Sequence, residues 1–223
     1  MARSRSNPLA LAVLALLWER PMHPYEMSMT LRERGKDESV RLNFGSLYSV
    51  VDSLEKHGLV AAASTEREGN RPQRTVYRIT DEGSREVVDW LSDLLRTPTK
   101  EFPQFEAALS FLPLLPPDDA VRLLRLRVVA LERRQAALRG SLDEAVATGL
   151  PPLFTVESEF EGALLRAELD FVTDLVTRLG DGTYPGVDLW RRFHADAGPD
   201  GRIDQTAVEE AVTAYIQSVR SGP

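Results

Sequence analysis

Residues 41–80 read RLNFGSLYSVVDSLEKHGLVAAASTEREGNRPQRTVYRIT, and the hydrophobic period changes inside that stretch. Leu47, Val50, Val51 and Leu54 fall at i, i+3, i+4 and i+7, the buried stripe of an amphipathic helix. Gly58 suits the position just past the end of such a helix. Beyond it, 59–65 is strand-like, and 74–80 alternates Thr75, Tyr77 and Ile79 with Arg74, Val76 and Arg78. The intervening 66–73 is too long and too charged for a tight turn. The stretch therefore predicts one helix feeding a two-stranded hairpin.

Two helices are predicted upstream. Asn7 and Pro8 make a cap and a first helical position. The run that follows is apolar nearly all round (Leu9, Leu11, Val13, Leu14, Leu16, Leu17, Trp18), which predicts a central core helix ending near Glu19. That run is too short to span a bilayer and lacks a small-residue cleavage site, so it reads as core rather than as a signal segment. Pro24 opens a second helix with Tyr25, Met29 and Leu31 expected inward, and Gly35 closes it. After the hairpin, Thr80 caps a fourth helix with Asp81 and Glu82 in its first turn, where the helix dipole favours anions. It carries Val87, Val88, Trp90, Leu91, Leu94 and Leu95 and ends before Pro98.

The second half is all helix. A proline-punctuated connection over 97–117 holds a short helix with Phe102, Phe105, Leu109 and Leu112 roughly on one face. From Asp118, the positions Val121, Leu124, Val128, Leu131, Gln135, Leu138, Leu142 and Ala145 keep a heptad spacing without a break. Residues 149–152 turn the chain into a further helix over 155–179, whose apolar face, including Leu165, Leu169 and Val172, is wider than one seam. An antiparallel hairpin satisfies part of that surface. The expected partner for the rest is a second copy, with Val121, Leu124, Val128, Leu131, Leu138, Leu142, Leu165, Leu169 and Val172 at the dimer interface; a monomeric helical domain is the alternative. The predicted fold is mainly α with a small β-hairpin wing: a winged helix-turn-helix domain over 1–96 and an all-α dimerisation domain over 97–223 with a C-terminal helical extension.

The chain has 223 residues, 43% hydrophobic and 27% charged, with no cysteine. Disulfides, thiolate metal sites and thiol nucleophiles are thereby excluded, and a cytoplasmic location is expected. The net charge of −7 is unevenly placed: residues 1–96 carry 14 Lys/Arg against 14 Asp/Glu, and residues 97–223 carry 13 against 20. Within the first half, residues 69–78 contain Arg71, Arg74 and Arg78 and no acid, a local strip of the kind phosphates attract.

Catalysis finds little support. His23, His57 and His194 are scattered, and no phosphate loop or nucleophile elbow is present. Residues 196–207 imitate a calcium loop, but Gly198 and Ala207 replace two carboxylate ligands, so no metal or other cofactor is expected. The tail then turns into a last helix over 205–219, with Val208, Ala211, Val212, Tyr215 and Ile216 expected inward. The third helix offers a different chemistry. Opposite its apolar stripe stand Ser46, Ser49, Ser53 and Lys56, small polar groups of the size that approaches base edges and phosphates closely in a major groove.

Four motifs in order carry a resemblance. They are His23-Pro24-Tyr25-Glu26-Met27, Gly45-Ser46-Leu47-Tyr48, Leu54-Glu55-Lys56-His57-Gly58-Leu59-Val60 and Thr75-Val76-Tyr77-Arg78-Ile79-Thr80-Asp81-Glu82-Gly83. With them, residues 9–95 resemble the N-terminal domain of PadR-family transcriptional regulators. The family usually has Gly where Pro24 stands and Pro where Ser49 stands. The resemblance implies a third helix in the major groove, a wing on the neighbouring backbone or minor groove, and a homodimer on double-stranded DNA with a palindromic operator. It also matches Tyr48 to a family tyrosine associated with phosphate contact; packing as a core aromatic is the alternative for that ring.

The expectation is a DNA-binding repressor. Arg41, Lys56, Arg67, Arg71 and Arg74 anchor the backbone, Asn70 sits in the wing, and Asn43, Ser46, Ser49 and Ser53 supply base contacts. The resemblance further implies a small aromatic effector, for which this chain offers Trp18, Trp90, Phe102 and Phe105 as lining; plain core packing is the alternative for those four rings. The competing expectation is a winged domain used for protein contacts in a larger assembly.

Overall fold

The computed structural model describes residues 7–37, 39–40, 42, 44–66, 74–195 and 205–220. The chain divides into two compact units, residues 1–100 and residues 101–223.

In the first unit, α1 (Pro8–Glu19) begins where the Asn7 side chain accepts a hydrogen bond from Leu9 N at 3.1 Å, with Pro8 at the first helical position. Leu9, Val13, Leu14, Leu16 and Leu17 are buried. Trp18, expected in that core, is 53% exposed. An apolar run cannot bury every side of a helix in a unit this small, and Trp18 points away from the Val13–Leu17 side. In α2 (Pro24–Glu33), His23 Nδ1 accepts from Tyr25 N at 3.1 Å. The inward residues are Met27, Ser28 and Leu31, whereas Tyr25 and Met29 face outward. The four-residue step from Met27 to Leu31 sets the helix phase, and the buried Ser28 hydroxyl donates to Tyr25 O at 2.7 Å. That bond removes the cost of burying it.

Helix α3 (Phe44–Lys56) buries Leu47, Val50, Val51 and Leu54. It ends at Gly58, whose φ of +72° admits a closing pair in which Gly58 N donates to Glu55 O and Leu59 N to Leu54 O. Strand β1 (Val60–Glu66) pairs antiparallel with β2 (Arg74–Ile79), Val60 opposite Ile79 and Ala62 opposite Tyr77, with a bulge between Ala62 and Ser64. Met22 adds a one-residue bridge: it and Tyr77 exchange N–H···O bonds of 3.0 Å. Helix α4 (Asp81–Arg96) turns Gly83, Val87 and Trp90 inward and leaves Val88, Leu91, Leu94 and Leu95 on its outer side.

In the second unit, α5 (Gln104–Ser110) and a 3-10 turn (Leu112–Leu114) precede α6 (Pro117–Ala147), a second 3-10 turn (Pro152–Thr155) and α7 (Val156–Gly180). Arg127 pairs with Glu168 and Arg134 with Glu161, so seven residues forward on α6 are seven back on α7. The two helices are therefore an antiparallel hairpin. Its seam holds Val121, Leu124, Leu131, Leu165 and Val172 as buried residues, with Val128, Leu138 and Leu169 partly buried around them. All of the residues expected between two copies except Leu142, which is partly buried outside this cluster, thus lie in the core of one chain. A heptad pattern specifies that a helix has a partner, and here the partner is the next helix, reached through a short connection at small entropic cost.

Helix α8 (Val187–Ala195) sets Val187 and Trp190 into the same core, and α9 (Gln205–Arg220) packs on α8. Val212, Tyr215 and Ile216, expected to pack inward on α9, are exposed. Contact with a single short helix is too narrow to cover them. The imitation calcium loop at 196–204 lies outside the described residues. Among the described residues no group of three or more His, Cys, Asp or Glu side chains could hold a metal, and no helix is long and apolar enough to cross a membrane.

Candidate nucleic-acid interface

Burying Leu47, Val50, Val51 and Leu54 locks the rotation of α3, and the opposite face follows from that. Ser46, Ser49, Ser53 and Lys56 are all exposed, spaced three, four and three residues apart along one line. Ser49 Oγ donates to Gly45 O at 3.1 Å, which leaves its lone pairs outward as acceptors. His57 Nδ1 lies 2.6 Å from Ser53 O and so takes up a carbonyl at the helix end.

Tyr48 stands beside this line, 44% exposed, so it is not a core aromatic. Its ring meets His23 edge-on, with centroids 6.4 Å apart and planes at 73°. That contact ties the start of α2 to α3, the two helices of the helix-turn-helix.

The acids of α3 complicate the face. Asp52 and Glu55 are exposed as well. Burial pushes the Tyr77 phenol up from its ordinary value, and the charges of Glu55 and then Asp52 add to that shift. Both carboxylates are thus near enough to act on the Tyr77 ring of β2, and Asp52, three residues from Ser49 and four from Lys56, also borders the serine line. Arg78 is exposed on β2, opposite Ala61. In the sequence it belongs to the acid-free strip of 69–78 and is not among the expected contacts.

Of the other expected contacts, Arg41, Asn43, Arg67, Asn70 and Arg71 lie outside the described residues. Arg74 is described by its backbone alone, which pairs with Glu66 at the open end of the hairpin. The residues brought together on one face are thus Ser46, Ser49, Ser53 and Lys56, with Tyr48 at its edge.

The hairpin is held against the helices by two residues that carry no contact role in the sequence reading. Thr80 Oγ1 lies 2.7 Å from Gly58 O and 3.0 Å from Leu59 O, and accepts from Gly83 N at 3.0 Å. Gly83 allows the start of α4 to touch β1: a Cβ there would stand 2.0 Å from Leu59 O. An isolated glycine in the first turn of a helix is the available signal for such an approach.

The four aromatics expected around an effector are placed differently from one another. In the first unit Trp18 is exposed, while Trp90 is 5% exposed with its indole N–H buried and without a hydrogen-bond partner among the described residues. In the second unit Phe102 is exposed, and Phe105 lies beneath Arg127, whose guanidinium carbon is 3.7 Å from the ring centroid.

Residues 13–89 match the model of the transcriptional regulator PadR-like family, a family of regulators and not of enzymes. Over 148 residues the chain is 23% identical to the negative transcriptional regulator PadR of Bacillus subtilis, covering 66% of this chain and 80% of that one. The crystal structure of Bacillus subtilis PadR in complex with operator DNA superposes with a TM-score of 0.62 at 18% identity, over 77% of this chain and 97% of that one. A PadR-like regulator of Bacillus cereus gives 0.55 at 18%, over 78% and 99%. Bacillus subtilis PadR in complex with p-coumaric acid gives 0.54 at 19%, over 82% and 98%. At these identities the superpositions speak for the fold: a winged helix followed by a helical domain.

Proposed function

We propose that this chain, whose residues 13–89 match the model of the PadR-like family of transcriptional regulators, is a cytoplasmic homodimeric repressor that binds a palindromic operator in double-stranded DNA. The observation that carries the reading is the exposed line of Ser46, Ser49, Ser53 and Lys56 on α3, whose rotation the buried Leu47, Val50, Val51 and Leu54 hold in place. In this reading α3 enters the major groove. The three hydroxyls and Asn43 meet base edges, and Lys56 with Arg41 meets phosphates. Asp52 stands three residues from Ser49 and four from Lys56, so it borders the serine line, and with Glu55 it makes the helix a weak source of affinity.

Affinity then rests on Arg67, Arg71 and Arg74 of the wing, with Asn70 beside them and Arg78 on β2, and on doubling the contacts through the dimer. Repression is supported by the relative described as a negative regulator. For the dimer, the intrachain seam moves the interface to what it leaves uncovered. Phe160 and Leu164, four residues apart on α7, are each more than half exposed, an apolar line beside the filled one. A small aromatic effector completes the proposal, supported by the p-coumaric acid complex of the related regulator.

The test is an electrophoretic shift and footprint on the DNA upstream of the chain's own gene. A palindromic footprint occupied by two copies is expected. Purified dimer without DNA affinity at low salt would favour a protein-contact role instead.

A further inference from the structure

The C-terminal extension builds a cavity that the DNA-binding reading does not use. It is open to solvent on one side, where Phe171 and Tyr184 are exposed, has a volume of about 310 Å³, at the small end of the range for ligand pockets, and lies wholly within the second unit. Leu109 and Leu112 form one wall, Phe171 and Leu175 of α7 a second, and Tyr184 and Trp190 the wall supplied by the extension.

The extension is fastened rather than draped. Tyr184 N donates to Arg178 O at 2.9 Å, Trp190 Nε1 to Leu115 O at 2.9 Å, and an Arg191 guanidinium nitrogen to Leu179 O at 3.3 Å; His194 Nε2 lies 2.9 Å from Pro113 O. These bonds hold the 3-10 turn and the end of α7 on opposite sides of the space. They also use up the indole N–H and the His194 ring nitrogen against backbone carbonyls. What remains facing the cavity is hydrocarbon and aromatic surface, with no charged residue in its lining. The Tyr184 hydroxyl makes no hydrogen bond among the described residues, and Arg178 packs over that ring at 4.7 Å to the centroid, holding it in place.

We propose that this cavity is a binding site for a small, uncharged, one- or two-ring aromatic molecule carrying a single hydroxyl or carbonyl. The volume sets the size. The absence of any charged group to offset desolvation selects against an ion. Phe171 and Trp190 supply ring faces and edges, and Tyr184 supplies one polar handle. The site is distinct from the aromatic set Trp18, Trp90, Phe102 and Phe105, and it stands whether or not the chain binds DNA. Because Leu109 and Leu112 belong to the first elements after the connection from α4, an occupant braces α5 and the 3-10 turn against α7.

The full chain, free of DNA, is titrated calorimetrically with 2-naphthol and with 2-naphthoate, its anionic analogue of similar shape. Saturable uptake of one 2-naphthol per chain is expected, with 2-naphthoate at least tenfold weaker. Leu112→Trp, which fills the cavity from a half-buried wall position, should weaken 2-naphthol at least tenfold, and Tyr184→Phe about threefold. Trp18→Phe should leave binding unchanged. If Leu112→Trp loses its cooperative melt, Tyr184→Phe and the anion comparison decide. Absence of saturable 2-naphthol uptake, equal affinity for the anion, or loss of binding in Trp18→Phe with none in Tyr184→Phe would overturn the assignment.

Discussion

The hydroxyl of Thr80 sits 2.7 Å from the carbonyl oxygen of Gly58, across 22 residues of sequence. Gly58 ends α3 and Thr80 begins α4, so this one side chain joins α3 to α4 while also capping α4 through Gly83 N. Thr80→Ala removes the cap and leaves the carbonyl without this donor. A loss of about 1 to 2 kcal/mol in urea unfolding is expected, and Thr80→Ser should recover most of it.

Gly83 is the tighter constraint. Its added Cβ would meet the Leu59 carbonyl oxygen at 2.0 Å and Ile79 Cγ1 at 2.9 Å. The first neighbour is backbone, at the residue just before β1, and cannot swing away. Gly83→Ala should therefore cost about 1 to 3 kcal/mol despite alanine's better helix propensity, as read in a thermal or urea melt.

The pair of Glu19 and Arg34 gives a pH signature. Two bonds, of 2.5 and 2.8 Å, join the ends of α1 and α2. The Arg34 hydrogen bond holds the Glu19 carboxyl below the usual carboxylate range. A depressed folded value means that the unfolded state takes up protons first. The stabilisation is therefore present above the unfolded value and lost as pH falls through the folded one. Both side chains are 46% exposed, so screening keeps the contribution under about 1 kcal/mol. Glu19→Gln should reduce the slope of stability against pH within and below the usual carboxylate range, and leave the slope at neutrality and above as it is in the unaltered chain.

The second apolar line on α7 makes a prediction about assembly. Phe160 and Leu164 are 66% and 56% exposed while the hairpin seam beside them is filled. Phe160→Ala with Leu164→Ala should leave the melt of the hairpin nearly unchanged but weaken self-association. A central aromatic is worth about 2 kcal/mol or more in an interface, and a two-fold axis counts it twice. Sedimentation should then show a dimer dissociation constant raised by about a thousandfold.

Much of this molecule is legible from periodicity and end signals. The stripe of Leu47, Val50, Val51 and Leu54, the stop at Gly58, the cap at Thr80 and the strand alternation of 74–80 each follow from local rules and recur in the fold. What local rules could not supply was phase and partner. Tyr25 and Met29 were spaced as well for burial as Met27 and Leu31, and only packing against α1 and α3 selects between them. The heptads of α6 required a partner without naming one, and α7 of the same chain took the place reserved for a second copy. On the candidate DNA face, serines at three- and four-residue spacing were readable, whereas the influence of Asp52 and Glu55 on the Tyr77 phenol depends on how β2 packs beside α3, which no local rule supplies.

The central claim is that a wing of arginines anchors this chain on DNA while α3 reads it. Affinity for the upstream palindrome is measured by fluorescence anisotropy across a series of salt concentrations, for the unaltered chain and for Arg71→Ala with Arg74→Ala. Each phosphate contact contributes roughly 0.9 to the slope of log affinity against log salt, so four lost contacts in a dimer should flatten it by roughly 3 to 4. Weaker binding with that flatter slope is the expected result. An unchanged slope would contradict the assignment of the wing.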